Sequence, residues 1–285
     1  MNGALDYQAA RPKLIGLAYR LLGSYSEAED AVQDASLKWH QADEGIIDNP
    51  EAWLSRVTTN LCLDRLKRRQ TEMEAYRGRW LPEPVSAPTP HDAIEAADQV
   101  SFAFLVLLEQ LKAKERAAYL LHDVFACEYG FIAETLGLSE ANCRQIVKRA
   151  RDRLKENRPR FEASRDRQHE LRDGFIAAHK TGDFAAFLAL LTDDVVLESD
   201  GGFSVKSAPN RIAGLENVAA FIAGIRSKTP FEGRMEPCNV NGMPGLLTFD
   251  GERLFSATVF ECSDRGIERI YVILNQDKLT HLSTD

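Results

Sequence analysis

The sequence predicts a multi-domain protein: two all-α domains, the second built on a helix-turn-helix, followed by an α+β domain. Three observations predict it. Apolar residues recur at helical spacing over residues 5–75 and again from near Ala93 to Arg160. Between them, RGRWLPEPVSAPTPHD holds prolines at 82, 84, 88 and 90, which forbid helix and mark an extended linker. Beyond residue 160 come short Val-, Ile- and Phe-rich runs between Gly and Asp turns. The expected segments are 1–76, a linker at 77–92, 93–160 and 165–285.

Each element has a local reason. In ARPKLIGLAYRLLG, Leu14, Leu17, Ala18, Leu21 and Leu22 share one helical face, and Gly23 ends the helix. Ser24 or Ser26 can cap the next helix, SEAEDAVQDASLKWH, whose first turn is acidic at Glu27, Glu29 and Asp30, as the helix dipole favours. The loop QADEGIIDNP leads to Pro50, which opens PEAWLSRVTTNLCLDRLKRRQ where a missing N–H does no harm. Past the linker, EYGFIAETLGLS puts Ile132, Ala133 and Leu136 on an inner face, bends at Gly137 and caps the following helix with Ser139. In that helix Cys143, Ile146, Val147, Ala150 and Leu154 face the core. The tail opens with two helices broken at Gly182 and continues as strands in DVVLESD, GLLTFDG, RLFSATVFEC and IERIYVILN.

Charge is segregated. The chain carries net −8, yet residues 1–160 hold 22 Lys and Arg against 24 Asp and Glu, so −6 of that total falls on residues 161–285. This suits a polyanion-binding portion beside one that binds none. No apolar run reaches the ~18 residues of a membrane span, and the N-terminal text lacks the pattern of a secretory signal. Five dispersed cysteines without a CxxC point to thiols in a reducing cytoplasm. No spacing of His, Cys or Asp suggests a metal, and no cofactor is expected.

The positive charge is concentrated in SEANCRQIVKRARDRLKENRPR, starting at Ser139. Arg144, Lys148, Arg151 and Lys155 follow steps of four, three and four, so they share an outward face. A cationic face on the second helix of a helix-turn-helix fits phosphate and base contact in a major groove. Its leading residues Ser139, Glu140, Asn142, Arg144 and Gln145 would point most directly at bases, with Lys148, Arg149 and Arg151 behind them. A second cluster, Arg65, Lys67, Arg68 and Arg69, follows Trp53, Arg56, Thr58, Thr59 and Asn60. Basic, polar and aromatic groups together suit single-stranded DNA.

These segments, in this order, resemble a bacterial sigma factor of the extracytoplasmic-function (ECF) type. AEDAVQDASLKW is similar to region 2.2, WLSRVTTNLCLDRLKRRQ to regions 2.3–2.4, and LLEQLKAKERAAYLLHDVFACEYGFIAETLGLSEANCRQIVKRARDRL to a whole region 4. The resemblance implies a region 2 helical bundle and a region 4 helix-turn-helix that bind core RNA polymerase at its clamp and flap and read promoter DNA. Asp30, Gln33, Asp34 and Leu37 would meet the polymerase. The loop around 41–50 and Asn60 would hold an extruded base of the −10 element, with Arg56, Arg65, Lys67, Arg68 and Arg69 nearby, while region 4 would read the −35 element as duplex.

RWLPEP at 79–84 is similar to the linker motif of ECF sigma factors with a fused SnoaL-like (NTF2-like) C-terminal domain, sometimes called SigJ-type. LLTDDVVLESDGG resembles that group's segment ending in DGGGK, and NQDKL at 275–279 its NPDKL; here Phe203 and Ser204 follow DGG, and Gln276 stands in place of Pro. The resemblance implies control of the sigma part in cis, with Trp80, as anchor, and Pro82, Glu83 and Pro84 meeting Asp200, Gly201, Gly202, Asn275, Asp277 and Lys278. SnoaL-like domains also include enzymes, for which Asp200, His179, Asp193, Asp194 and Asp277 are available; a plain turn at Asp200-Gly201-Gly202 is the favoured alternative. A one-component regulator with a ligand-sensing tail, or a SnoaL-like enzyme with a DNA-binding appendage, are the other readings. A single copy per polymerase makes a monomer the expectation, with no membrane partner.

Overall fold

The structure, a computed structural model, describes residues 3–42, 47–73, 76, 78–86, 100–156, 163–228 and 233–282. The start of the helices expected near Ala93, the linker's Pro88 and Pro90, part of the 41–50 loop, and Arg158 and Arg160 lie outside these. The chain divides into two compact units, one of residues 1–75, 88–100 and 104–158, the other of 76–87, 101–103 and 159–285. The linker motif thus belongs to the same unit as the tail.

The first unit begins with α1 (Gly3–Leu22), α2 (Tyr25–Gln41) and α3 (Pro50–Met73). Ser24 caps α2, its hydroxyl accepting from Glu27 N at 3.3 Å. The stripe Leu14, Leu17, Ala18, Leu21 and Leu22 is buried, as are Ala28, Ala31, Val32 and Ala35 of α2 and Leu54, Cys62 and Leu63 of α3. Alanines on α2 let the helices approach closely. The unit continues with α4 (Phe102–Leu108), whose first two residues belong to the other unit, then α5 (Ala113–Tyr119), a π-helical turn at Leu120–Val124, α6 (Tyr129–Leu136) and α7 (Glu140–Glu156). Gly137 closes α6 with φ 62°, a left-handed conformation that glycine adopts without cost. Ser139 Oγ then accepts Asn142 N at 3.3 Å, giving α7 its cap. Cys143, Val147, Ala150 and Leu154 are buried, while Ile146 is half-buried.

The second unit contains α8 (Arg165–Thr181), α9 (Phe184–Leu188), β1 (Leu191–Asp200), β2 (Ile212–Ala213), α10 (Leu215–Lys228), β3 (Arg234–Val240), β4 (Met243–Asp250), β5 (Arg253–Ser263) and β6 (Gly266–Ile273). The strands form one six-stranded sheet in the order β2-β1-β6-β5-β4-β3, antiparallel except for the β1–β6 pair. Leu171, Ile176 and Phe187 from the helices meet Val195, Leu197, Leu246, Phe260 and Ile270 on one sheet face. Strand alternation turns Glu198 and Asp200, two apart on β1, to the other face. That face is not left to solvent: Phe102 lies 5.4 Å, ring to ring, from Tyr271, and Leu81 is fully buried.

Candidate nucleic-acid interface and linker clasp

On α7 the outward residues Asn142, Arg144, Gln145, Lys148, Arg149 and Arg151 are all exposed, with Ser139 and Glu140 exposed before them. They are not equivalent. The Arg151 guanidinium makes a two-pronged bond to the Asp123 carboxylate, with Nε to Oδ2 at 2.6 Å, which raises its pKa above the ordinary arginine value. Arg144 Nη2 bonds Glu140 Oε2 at 2.7 Å, and its guanidinium sits 5.0 Å from the Tyr129 ring centre. Arg149 Nε leans on Gln145 O at 3.4 Å. Among the described residues, the side chains of Asn142, Gln145 and Lys148 have no partner, leaving their donors and acceptors free for a ligand.

The α3 cluster is split. Four residues apart, Arg65 and Arg69 share the face turned to α1 and α2. Arg65 bonds Asp34 at 2.7 Å and lies 3.8 Å from Asp30; Arg69 donates to Leu22 O at 2.6 Å and to Glu27 at 2.7 Å. Lys67, Arg68 and Asn60 point outward, although Lys67 pairs with Asp64 at 3.0 Å and Arg68 Nε approaches Asp64 O at 3.5 Å. Thr58 and Thr59, expected to face DNA, are fully buried, because on a helix packed along both sides their positions fall on the inner face. Arg56 is held by α6, bonding Glu134 Oε1 at 2.5 Å and covering the Phe131 ring at 5.5 Å. On α2, Asp30, Gln33 and Leu37 are exposed and share a face; Leu37 is 57% exposed, so it is no core leucine. Asp34 is half-buried against Arg65.

In the second unit the DGG turn, the linker motif and the NQDKL segment meet around Asp200, which is wholly buried. Its Oδ2 accepts Leu81 N at 2.8 Å and Lys278 Nζ at 2.7 Å; its Oδ1 accepts Gly202 N at 2.9 Å and the Tyr76 hydroxyl. Burial first, then the Asp200 bond, pushes the Tyr76 phenol well above its ordinary value, keeping it a donor. Lys278 Nζ also donates to Leu81 O at 2.5 Å and lies 3.7 Å from the Trp80 ring centre. A buried ammonium is thereby paired, hydrogen-bonded and covered by an aromatic face. The glycines are required. A Cβ on Gly201 would fall 2.0 Å from Val205 O, and one on Gly202, at φ 61°, would fall 2.6 Å from Asn275 Cγ. Farther along, buried Glu83 meets His281 Nδ1 at 2.7 Å, Arg79 meets buried Glu198 at 3.1 Å, and Asn241 exchanges bonds with Val85.

Of the residues expected to join linker and tail, Trp80, Asp200, Gly202, Asn275 and Lys278 converge here, and Pro82, Glu83 and Pro84 are buried beside them. Asp277 is exposed and stays outside. Trp80 is half-buried; the deep anchor is Leu81, whose smaller side chain is completely covered. Leu81, Tyr76 and His281 escape the sequence reading, because each acts through partners that no local pattern reveals. The four partners of the Asp200 carboxylate, Leu81 N, Lys278 Nζ, Gly202 N and the Tyr76 hydroxyl, are all donors of the protein itself, which makes it a structural acceptor in this unit. Asp193 and Asp194 are exposed.

The profile of Sigma-70 region 2 matches residues 7–72, and that of Sigma-70 region 4 matches residues 101–154. The chain is 35% identical to the ECF RNA polymerase sigma factor SigJ of Mycobacterium tuberculosis, over 96% of this chain and 92% of that one. It is 30% identical to the probable ECF RNA polymerase sigma factor SigI of the same species, over 98% and 95%. The crystal structure of M. tuberculosis SigJ superposes with a TM-score of 0.76 at 33% identity, covering 99% of this chain and all of that one. Similarity of this extent runs through both helical regions and the α+β tail alike, and it places the chain in the family of ECF RNA polymerase sigma factors.

Proposed function

We propose that the tail unit controls this sigma factor in cis by gripping its linker. The observation that carries the reading is the clasp at Asp200, which bonds Leu81 N and Lys278 at once while Lys278 returns to Leu81 O. A free extended linker lets the two DNA-reading parts sample many arrangements; an attached domain that binds the linker acts at high effective concentration and selects among them.

In the same reading, Asp30, Gln33 and Leu37 dock on the polymerase clamp, the helix-turn-helix meets the flap, and the free chain is monomeric in the cytoplasm with the transcription machinery. The α7 face, from Ser139 to Arg151, reads the −35 element as duplex. Asn60, Lys67 and Arg68 on α3, with the 41–50 loop, hold the opened −10 strand; capturing an extruded base offsets an unpairing cost of a few kcal/mol. Arg65, Arg69 and Asp34 serve the bundle that presents these groups, as their internal bonds favour. Arg56 joins the −10 surface once it lets go of Glu134. Run-off transcription by core polymerase, with the full chain or with a chain ending at residue 164, tests the control. The truncated chain should give a different promoter-dependent yield; equal yields would refute control in cis.

A further inference from the structure

The first turns of α6 and α7 are joined through one arginine. Arg144 is exposed, yet two elements hold it: Glu140, one turn earlier on α7, bonds Nη2 at 2.7 Å, and Tyr129, the first residue of α6, offers its ring at 5.0 Å. The Glu140 carboxylate lies over the first turn of α6, where a Cβ on Gly130 would come within 3.5 Å of Oε1. The Tyr129 ring is itself fixed, its centre 4.2 Å from that of His122, whose Nδ1 sits 3.1 Å from Cys127 O.

The two restraints differ in what they leave free. A guanidinium has five N–H donors in one plane. Glu140 engages one nitrogen, whereas a ring beneath the plane orients the group and consumes no donor. Arg151 shows the contrast, since the Asp123 carboxylate takes its donors in pairs. Arg144 is thus a pre-ordered fork with donors to spare at the leading end of the recognition helix, and ordering it in advance lowers the entropy cost of binding. An oriented arginine fork matches the O6 and N7 acceptors of guanine.

We propose that Tyr129 is a positioning residue for promoter reading, orienting Arg144 toward one guanine of the upstream element. Glu140 then acts on Arg144 rather than on a base. The inference rests on the reading of α7 as the duplex-binding helix. The test uses the full chain with core polymerase on templates whose upstream duplex segment is randomised, with transcribed templates sequenced. R144A should flatten the preference at one guanine position by about tenfold. Y129A should weaken the preference at that same position by about two- to fivefold and leave other positions unchanged, while Y129F, which keeps the ring, should retain it. Y129L keeps bulk without the ring and should behave as Y129A, which guards against misfolding. If R144A alters a position and neither Y129A nor Y129L does, or if they depress all positions equally, Tyr129 is not a positioning residue. If R144A alters no position, the base-reading role of Arg144 fails, and the positioning proposal with it.

Discussion

Asp200 shows how much one side chain can hold. Removing its carboxylate strips Lys278 of its buried counter-charge and leaves Leu81 N without an acceptor. Breaking a buried pair from one side costs about 3–5 kcal/mol. Asp200→Ala should therefore lower the unfolding free energy of the tail unit by that order, and the double change Asp200→Ala with Lys278→Met should recover part of the loss. Chemical denaturation curves of the full chain check both. The tyrosines add a pH dependence of definite sign. Tyr76 and Tyr271 are held above the ordinary phenol value mainly by burial, then by the carboxylates of Asp200 and Glu261. A group whose folded pKa is raised gives stability that is fully present below its unfolded value, about 10, and is lost as pH climbs beyond it. Unfolding followed from neutral to strongly alkaline pH should show the tail losing stability through these phenols as pH climbs past about 10, and Tyr76→Phe should shrink that part of the loss. At this scale the sequence was legible wherever a motif marked both partners, as DGG and NQDKL do. It was silent on Tyr76, whose bond to Asp200 spans 124 positions.

Among the elements, α3 makes the sharpest distinction between charge that builds and charge that binds. Arg65→Ala and Arg69→Ala each remove hydrogen bonds to charged or backbone acceptors inside the bundle and should cost about 1–3 kcal/mol of stability. Lys67→Ala and Arg68→Ala alter exposed groups and should change stability by less than about 0.5 kcal/mol, yet reduce promoter opening. Thermal melts beside permanganate footprinting of the −10 region separate the two pairs. Helical spacing distinguishes them in principle, because residues 65 and 69 lie on one face and 67 and 68 on others; a run of like charge in the text hides that division. The helix-turn-helix was fully legible, since Gly137, the Ser139 cap and the buried Cys143, Val147, Ala150 and Leu154 each carry a local signal. Two tail elements were not. The strand β3 contains Pro237 and polar residues, tolerable because it is the sheet edge. The helix α10 has its helical pattern in Val218, Phe221 and Ile222, diluted by glycines and by strand-like text on both sides.

Taken whole, the molecule combines two helical promoter readers with a sheet that has no face to spare. Helices fill one side of that sheet, and residues of the linker motif lie on the other, so the tail cannot keep its present surface and release the linker without exposing Leu81, Glu198 and Asp200. Within the first unit, the Arg56–Glu134 bond ties α3 to the helix-turn-helix. Glu134→Ala should free Arg56 and raise promoter binding by the full chain, measured by fluorescence anisotropy on a fork-junction DNA. The central claim is that the grip on the linker sets transcriptional output, and it is tested most directly with the full-length chain. Core polymerase is supplied with wild type or with Asp200→Ala, and run-off transcripts are quantified from the same template. The expected result is a promoter-dependent yield that differs clearly between the two; indistinguishable yields across the full range of protein concentrations would contradict the account.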